Sequence, residues 1–316
     1  MARRMIHLQA LLGTLASAAV VACAVALLVV SEKAEATFPG KNGRIAYSSY
    51  DGNDYEIYTV NSRGGDKFQV TNNARDDYSP SYSPNGKRIV YVELDRNDAE
   101  IYTINAGGRG KTRLTHNNAD EAAPSYSPDG KKIAYMVYSN AAGVTEIYTI
   151  YVGGGGKTKL TSGGQPSYSP DGKRIVYWDY HKTAANPHPD TEIYTMNASG
   201  GDKIQLTHND DDEFAPDFSP DGKRIVFAGL KGLERNNAES DIYKMKVGGG
   251  AKTRLTNNNT YDTYPSYSPD GKKIAFAVSK GSGEGDIYTI NAFGGGKTQL
   301  IHDDADEAAP SWGSRP

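Results

Sequence analysis

Cysteine is nearly absent from this sequence. Only Cys23 occurs among 316 residues, and it stands in an apolar N-terminal stretch. The rest of the chain therefore has no disulfide framework, no thiolate zinc site and no cysteine nucleophile. Aromatics other than tyrosine are scarce, with 7 Phe and 2 Trp against 22 Tyr, while glycine reaches 35. That balance predicts many short strands joined by turns rather than helices. An excess of one charge is lacking too: 35 basic and 38 acidic side chains give a formal net charge of −3. A nucleic-acid backbone needs a concentrated basic face, so no nucleic-acid partner is expected. No Gly-x-Ser-x-Gly and no His-Glu-x-x-His is present, which removes two common hydrolase signatures.

Residues 1–36 read as an export segment. Arg3 and Arg4 open it, Ala10 to Val30 form a weakly polar-to-apolar run of 21 residues, and Ala34-Glu35-Ala36 supplies a small-x-small cleavage pattern. The run is also long enough to span a bilayer, so an uncleaved N-terminal anchor is the alternative. Val20-Val21-Ala22-Cys23 resembles a lipobox, but the following residues stay apolar. Each reading places residues 37–316 outside the cytoplasm: periplasmic, secreted, or held at the outer face of the cytoplasmic membrane.

Self-similarity governs the remainder. Ser-Pro-Asp-Gly occurs at 127–130, 169–172, 219–222 and 268–271, and Ser83-Pro84-Asn85-Gly86 is a fifth copy. Each is followed by basic residues and a short apolar run such as Arg88-Ile89-Val90-Tyr91, and Gly43-Arg44-Ile45-Ala46-Tyr47 is a sixth copy without its Ser-Pro lead. The marking glycines 43, 86, 130, 172, 222 and 271 are spaced by 43, 44, 42, 50 and 49 residues and define repeats one to six. Every repeat then carries an acid-Ile-Tyr run, from Glu56-Ile57-Tyr58 to Asp286-Ile287-Tyr288, a Gly-rich turn, and a run such as Thr112-Arg113-Leu114-Thr115. Four strands, a to d, follow from this. Asp-Gly opens the a–b hairpin, since such a turn needs positive φ. A period of roughly 40–50 residues with four strands matches propeller blades.

Repeat one lacks strand a, and the C-terminus offers it: Ala309-Pro310-Ser311-Trp312 aligns with Ala123-Pro124-Ser125-Tyr126. The expected fold is all-β, a six-bladed propeller over 37–316 whose ring is closed by the C-terminal strand, which leaves no open edge. A monomer is expected.

The Pro-Ser-Tyr-Ser-Pro-Asp-Gly-Lys-x-Ile-x-Tyr pattern with the later Asp/Glu-Ile-Tyr resembles the WD40-like (PD40) repeat of the TolB propeller family, across about residues 38–316. The family's N-terminal α/β domain has no counterpart in this sequence, where only the leader precedes the first repeat. The resemblance implies an extracytoplasmic protein-binding propeller, as the TolB propeller is in the Tol–Pal envelope system, with a partner that need not be the same. Membrane contact is expected only through the leader, if it is retained.

The loops between strands d and a concentrate acid: Asp76, Asp77, Asp120, Glu121, Asp212, Glu213, Asp262, Asp306 and Glu307, with the loop before Pro166 as the gap. Nine carboxylates near one channel mouth repel unless solvated, protonated or paired. One reading is a Ca²⁺ site or a seat for a basic partner. The other is that each acid binds backbone N–H groups or a neighbouring repeat, because repeats duplicate whatever stabilises them. The acids of the Asp-Gly turns (Asp129, Asp171, Asp221, Asp270) read as turn chemistry. Those of strand c read as bonded to backbone or to the basic residues of strand b.

Gly-Lys-Thr at 110–112, 156–158 and 296–298 is no phosphate loop, because Asn105, Tyr151 and Asn291 stand where the earlier glycine is required. His116, His208 and His302 share one slot after strand d, spread around a ring rather than clustered. The b–c loop of repeat four departs from the pattern and supplies Trp178, Tyr180, His181, His188 and Asp190 as candidate partner contacts; Leu230 to Ser240 is a similar excursion in repeat five. Two functions compete: a protein-interaction propeller using the face of the d–a and b–c loops, and a metal-assisted hydrolase or lyase on a lactone or carbohydrate at the acidic mouth. Strand a is monotonous, with Asp217 alone standing out, and that uniformity favours binding.

Overall fold

The computed structural model describes residues 38–95, 98–139, 144–181, 190–230, 239–280 and 285–315. The chain divides into two units, 1–31 and 32–316, and all described strands lie in the second. Repeat one supplies β1 (Asn42–Tyr50), β2 (Tyr55–Val60) and β3 (Phe68–Gln69). Repeat two supplies β4 (Asp77–Tyr82), β5 (Arg88–Asp95), β6 (Asp98–Asn105) and β7 (Thr112–Arg113). Repeat three has β8 (Asp120–Tyr126), β9 (Lys132–Ser139), β10 (Val144–Tyr151) and β11 (Thr158–Ser162). Repeat four has β12 (Gly164–Tyr168), β13 (Arg174–His181), β14 (Asp190–Asn197) and β15 (Ile204–Gln205). Repeat five has β16 (Glu213–Phe218), β17 (Arg224–Leu230), β18 (Ser240–Lys246) and β19 (Thr253–Arg254). Repeat six has β20 (Tyr261–Tyr267), β21 (Lys273–Ser279), β22 (Gly285–Asn291) and β23 (Thr298–Gln299), and the chain ends in β24 (Glu307–Ser314).

Each repeat is an antiparallel meander in the order a-b-c-d. The C-terminal β24 pairs antiparallel with β1, with Ile45 opposite Trp312 and Ser49 opposite Glu307. Four sheets of four strands stand alone. Repeats five and six share one eight-stranded sheet, because a single parallel bridge, Ser240 to Tyr261, joins β18 to β20. Six separate sheets, expected from the repeat, are therefore not what the pairing shows.

Strand d also differs from expectation: it is two residues long in every repeat but the third. In repeats one, two, four and five a threonine stands where the ladder stops. The N–H of Ile57, Ile101, Ile193 and Ile242 donates to the hydroxyl of Thr71, Thr115, Thr207 and Thr256 at 2.8–2.9 Å, so a side chain takes over from the backbone ladder.

The core lies between neighbouring sheets. The apolar run of strand b and the isoleucine of strand c are buried in every repeat. Across each b–c pair an aromatic faces a tyrosine, as Tyr91 faces Tyr102 and Phe276 faces Tyr288, with centroids 5.9 and 6.2 Å apart, a geometry that adds to simple burial. Strand a carries a bulge at the residue before its proline. Ser79, Ala123, Gln165, Ala215, Tyr264 and Ala309 all have φ between 49° and 54°, and the register with strand b shifts there. A left-handed residue costs roughly 1–2 kcal/mol. Its recurrence at six equivalent places marks a designed bend of strand a and not an isolated functional strain.

Candidate functional site

The d–a loops cross from one repeat to the next, so their acids lie at the junctions. Asp76 accepts the N–H of Tyr55 at 3.0 Å, Asp120 that of Ala99 at 3.3 Å, Asp212 that of Thr191 at 2.8 Å and Asp306 that of Gly285 at 2.6 Å. Each donor is at the start of strand c of the preceding repeat, so these aspartates clasp one repeat to another.

The neighbouring acids Asp77, Glu121, Glu213, Asp262 and Glu307 are buried. Four of them take an amide hydrogen from an asparagine four residues earlier. Asn73 donates to Asp77 at 2.8 Å, Asn117 to Glu121 at 2.6 Å, Asn209 to Glu213 at 2.7 Å and Asn258 to Asp262 at 3.0 Å. The lysine of the following c–d turn adds a charge: Lys157 lies 3.6 Å from Glu121, Lys252 2.8 Å from Glu213 and Lys297 3.4 Å from Asp262. Two of the three Gly-Lys-Thr turns, those of Lys157 and Lys297, act this way, and the third places Lys111 on buried Glu93. The role of Lys157 and Lys297 is hidden in the sequence because their partners are more than thirty residues away.

Strand-c acids complete the junctions. Glu100 accepts from Arg113 at 2.6 Å and from the Asn117 N–H at 2.7 Å, and Glu192 accepts the Asn209 N–H at 2.7 Å. Their basic partners lie on strand d, not on strand b as the sequence suggested. Packing two carboxyls out of water favours the protonated form. Burial, with the Glu93 and Glu56 charges, pushes Asp77 up to about 9. Burial raises Glu121 to about 7 and Glu192 to about 8. Burial and Asp303 raise Glu307 to about 10. Glu100 goes the other way: burial opposes its charge, but bonds from Thr115, Asn117 and Arg113 hold it below the usual range.

The nine loop acids are thus divided among junctions. Among the described residues no group of three His, Cys, Asp or Glu side chains is placed to hold a metal ion. The gap before Pro166 is filled by Gly163, at φ +106°, where a Cβ would lie 2.3 Å from the Trp178 carbonyl oxygen.

At repeat four the candidate contacts separate. Trp178 is buried and donates Nε1–H to Gln165 at 2.8 Å, while Gln165 also accepts the Ala215 N–H at 2.8 Å. The Trp178 ring lies inside the fold and anchors this end of β13. Tyr180 is 41% exposed and packs edge-on against Trp178, with centroids 5.4 Å apart. His181 Nδ1 lies 3.2 Å from the Tyr194 hydroxyl. Asp190 is buried opposite His181 in the β13–β14 pair, and burial raises its pKa. His188 and the 231–238 stretch of repeat five lie outside the described residues.

Asp217, singled out by the sequence, is a buried tie across three repeats: it accepts the Ser167 hydroxyl at 3.0 Å and the Tyr267 N–H at 3.1 Å. The turn aspartates do turn chemistry. Asp129, for example, accepts the Ser127 hydroxyl at 2.7 Å and the Lys131 N–H at 3.0 Å, and these bonds hold it below the usual carboxylate range. His116, His208 and His302 are exposed.

Comparison with known proteins agrees with this architecture. TolB from Acinetobacter baumannii superposes with a TM-score of 0.73 at 22% identity, covering 88% of this chain and 68% of that one. An oligogalacturonate lyase in complex with manganese superposes at 0.57 with 12% identity, covering 84% and 77%. The propeller fold is what these likenesses show. Among curated proteins none matches the sequence. The TolB beta propeller domain family, PD40, matches over residues 35–186 and 165–315. The chain belongs to the TolB beta-propeller domain family.

Proposed function

We propose that this chain is an extracytoplasmic protein-interaction propeller. In this reading the eight-stranded sheet counts as two blades, giving six, and β24 closes the ring on β1. The partner face is the one with the b–c hairpin ends and the d–a loops. The observation that carries this is the Tyr180 platform: an exposed aromatic held rigid by Trp178, itself bonded to Gln165. Rigid, half-exposed aromatics beside a long loop are what interface anchors are made of. His181, at the end of β13, belongs to the same face. Family membership and the leader support a location outside the cytoplasm. The competing reading, a metal-assisted hydrolase or lyase, needs carboxylates gathered on one ion, and the loop acids are instead spread over separate junctions, with no group of three such side chains placed together among the described residues.

The test is site-specific photocrosslinking in the source cells. A photoreactive residue at Tyr180 should give a discrete adduct, while one at Phe293, at the other end of the sheets, should not. Equal labelling at both places, or none at Tyr180, would overturn the assignment.

A further inference from the structure

The net charge of −3 conceals a segregation that the topology creates. In a meander, the a–b and c–d turns lie at one end and the b–c and d–a connections at the other. The acids concentrate at the second end. At the first, Lys87, Lys131, Lys173, Lys223 and Lys272 occupy one equivalent place directly after the turn glycine, and all are exposed, as is Lys41 of repeat one. Their backbones are fixed: the carbonyl of each of the five accepts an N–H of the following c–d turn at 2.9–3.1 Å. Neighbouring turns lie close in sequence order: a Cβ at Gly130, Gly172, Gly222 or Gly271 would come within 3.8 Å of Pro84, Pro128, Pro170 or Pro220 of the preceding repeat. The belt continues where Gly40 N–H donates to Pro269 at 3.2 Å and the Ser314 hydroxyl donates to Pro84 at 2.8 Å. The aspartates of this belt spend an oxygen each on their own turn, and Lys131, 77% exposed, is 3.9 Å from Asp129.

Two large aromatics rise from the same end. Phe293, in a c–d turn, is 78% exposed, and Tyr151, the last residue of β10, 51%, with Lys244 Nζ 4.9 Å above the Phe293 ring and Lys132 Nζ 5.3 Å above that of Tyr151. Beside Phe293 lies a cavity of about 310 Å³ that also takes in Pro39 and Arg224. Arg88 and Arg174 donate to Thr103 and Thr195 on strand c; opposite the Arg224 strand that threonine is replaced by Lys244, so two cations adjoin. The described chain begins at this end, at Phe38, and the apolar run Ala10 to Val30 lies in the residues before it.

We propose that this lysine-ringed face docks on an anionic lipid bilayer, with Phe293 and Tyr151 entering the headgroup layer. Basic side chains near an anionic leaflet and aromatics at the headgroup level reinforce each other. The opposite, acidic end with Tyr180 is left to a protein partner. The two faces fail or stand independently.

The test is cosedimentation of residues 32–316, the unit that holds every described strand, with vesicles. Binding should require phosphatidylglycerol, be absent with phosphatidylcholine alone, and be released by salt. The K131Q/K173Q/K223Q variant, exposed and off the core, should melt as the parent does and partition roughly 100-fold less. F293S should weaken vesicle binding several-fold and leave binding of soluble polyphosphate unchanged. No binding to phosphatidylglycerol vesicles at low salt would overturn the proposal, as would equal binding by the triple variant. Polyphosphate or duplex DNA bound as tightly as vesicles, with F293S without effect on either, would also overturn it by making this a soluble polyanion site.

Discussion

Asp303 faces Glu307 at the junction of repeats six and one, in the place where Asn73, Asn117, Asn209 and Asn258 donate to the equivalent acid. Glu307 is buried, and Lys67 binds Asp303 at 2.6 Å. Two carboxyls share the site that elsewhere holds one carboxyl and an amide. Asp303→Asn should restore the amide donor and remove a like charge. Stability should rise by about 1–2 kcal/mol, more at pH 8 than at pH 5, in urea unfolding. A loss of stability at both pH values would show that the pair is not repulsive.

The raised carboxyls set a pH dependence. Asp77, Glu121, Glu192 and Glu307 titrate near 9, 7, 8 and 10 in the fold, against about 4 in an unfolded chain. Their contribution is complete below the unfolded value and is lost as pH rises through the folded ones. The turn aspartates Asp129, Asp171, Asp221 and Asp270 are lowered, so their share is lost as pH falls below about 4. Tm should peak in mildly acid solution and decline from pH 6 to pH 9; a steady rise over that range would refute the protonated junctions.

Thr115 supplies the oxygen that ends strand d. Thr115→Val keeps the shape but strands the Ile101 N–H in the core, and should cost about 1–3 kcal/mol by denaturant unfolding. A neutral result would mean that strand d lengthens to replace the bond.

Lys252 touches Glu213, Asp211 and Asn209. Lys252→Met should destabilise by roughly 1–3 kcal/mol at pH 8, less than a fully buried pair because Lys252 is itself part exposed. A greater loss at pH 5 than at pH 8 would contradict the ion-pair role.

Removal of residues 307–316 takes away β24 and leaves β1 without its neighbour. Cooperative unfolding should be lost or broadened into separate transitions, read by calorimetry. An unchanged melting curve would sink closure by the C-terminal strand.

Much of this was legible in the sequence for a local reason. The Asp-Gly turns, the Ile-x-Tyr runs and the alignment of Ala309–Trp312 with Ala123–Tyr126 all lie within short windows, where hairpin chemistry is decided. The junctions were not legible, because Lys157 and Glu121, or Gln165 and Ala215, meet only after repeats are set side by side. Strand d was overread for a related reason: Thr115 in sequence looks like one more strand residue, and only its hydroxyl's position over Ile101 shows that the ladder stops. The Ser240–Tyr261 bridge has no sequence signature. The lysine ring was in plain view after each turn glycine, but a net charge sums over both ends of the sheets and hid it.

The repeated carboxylates join repeat to repeat, and thermal unfolding of residues 32–316 with Ca²⁺ titrated in, and then with a chelator, tests this most directly. With Asp76, Asp120, Asp212 and Asp306 each committing an oxygen to a strand-c N–H, Tm should stay unchanged in both. A dose-dependent rise that saturates would mean native-state cation binding, would contradict the joint role of Asp76, Asp120, Asp212 and Asp306, and would turn attention to the metal-assisted enzyme.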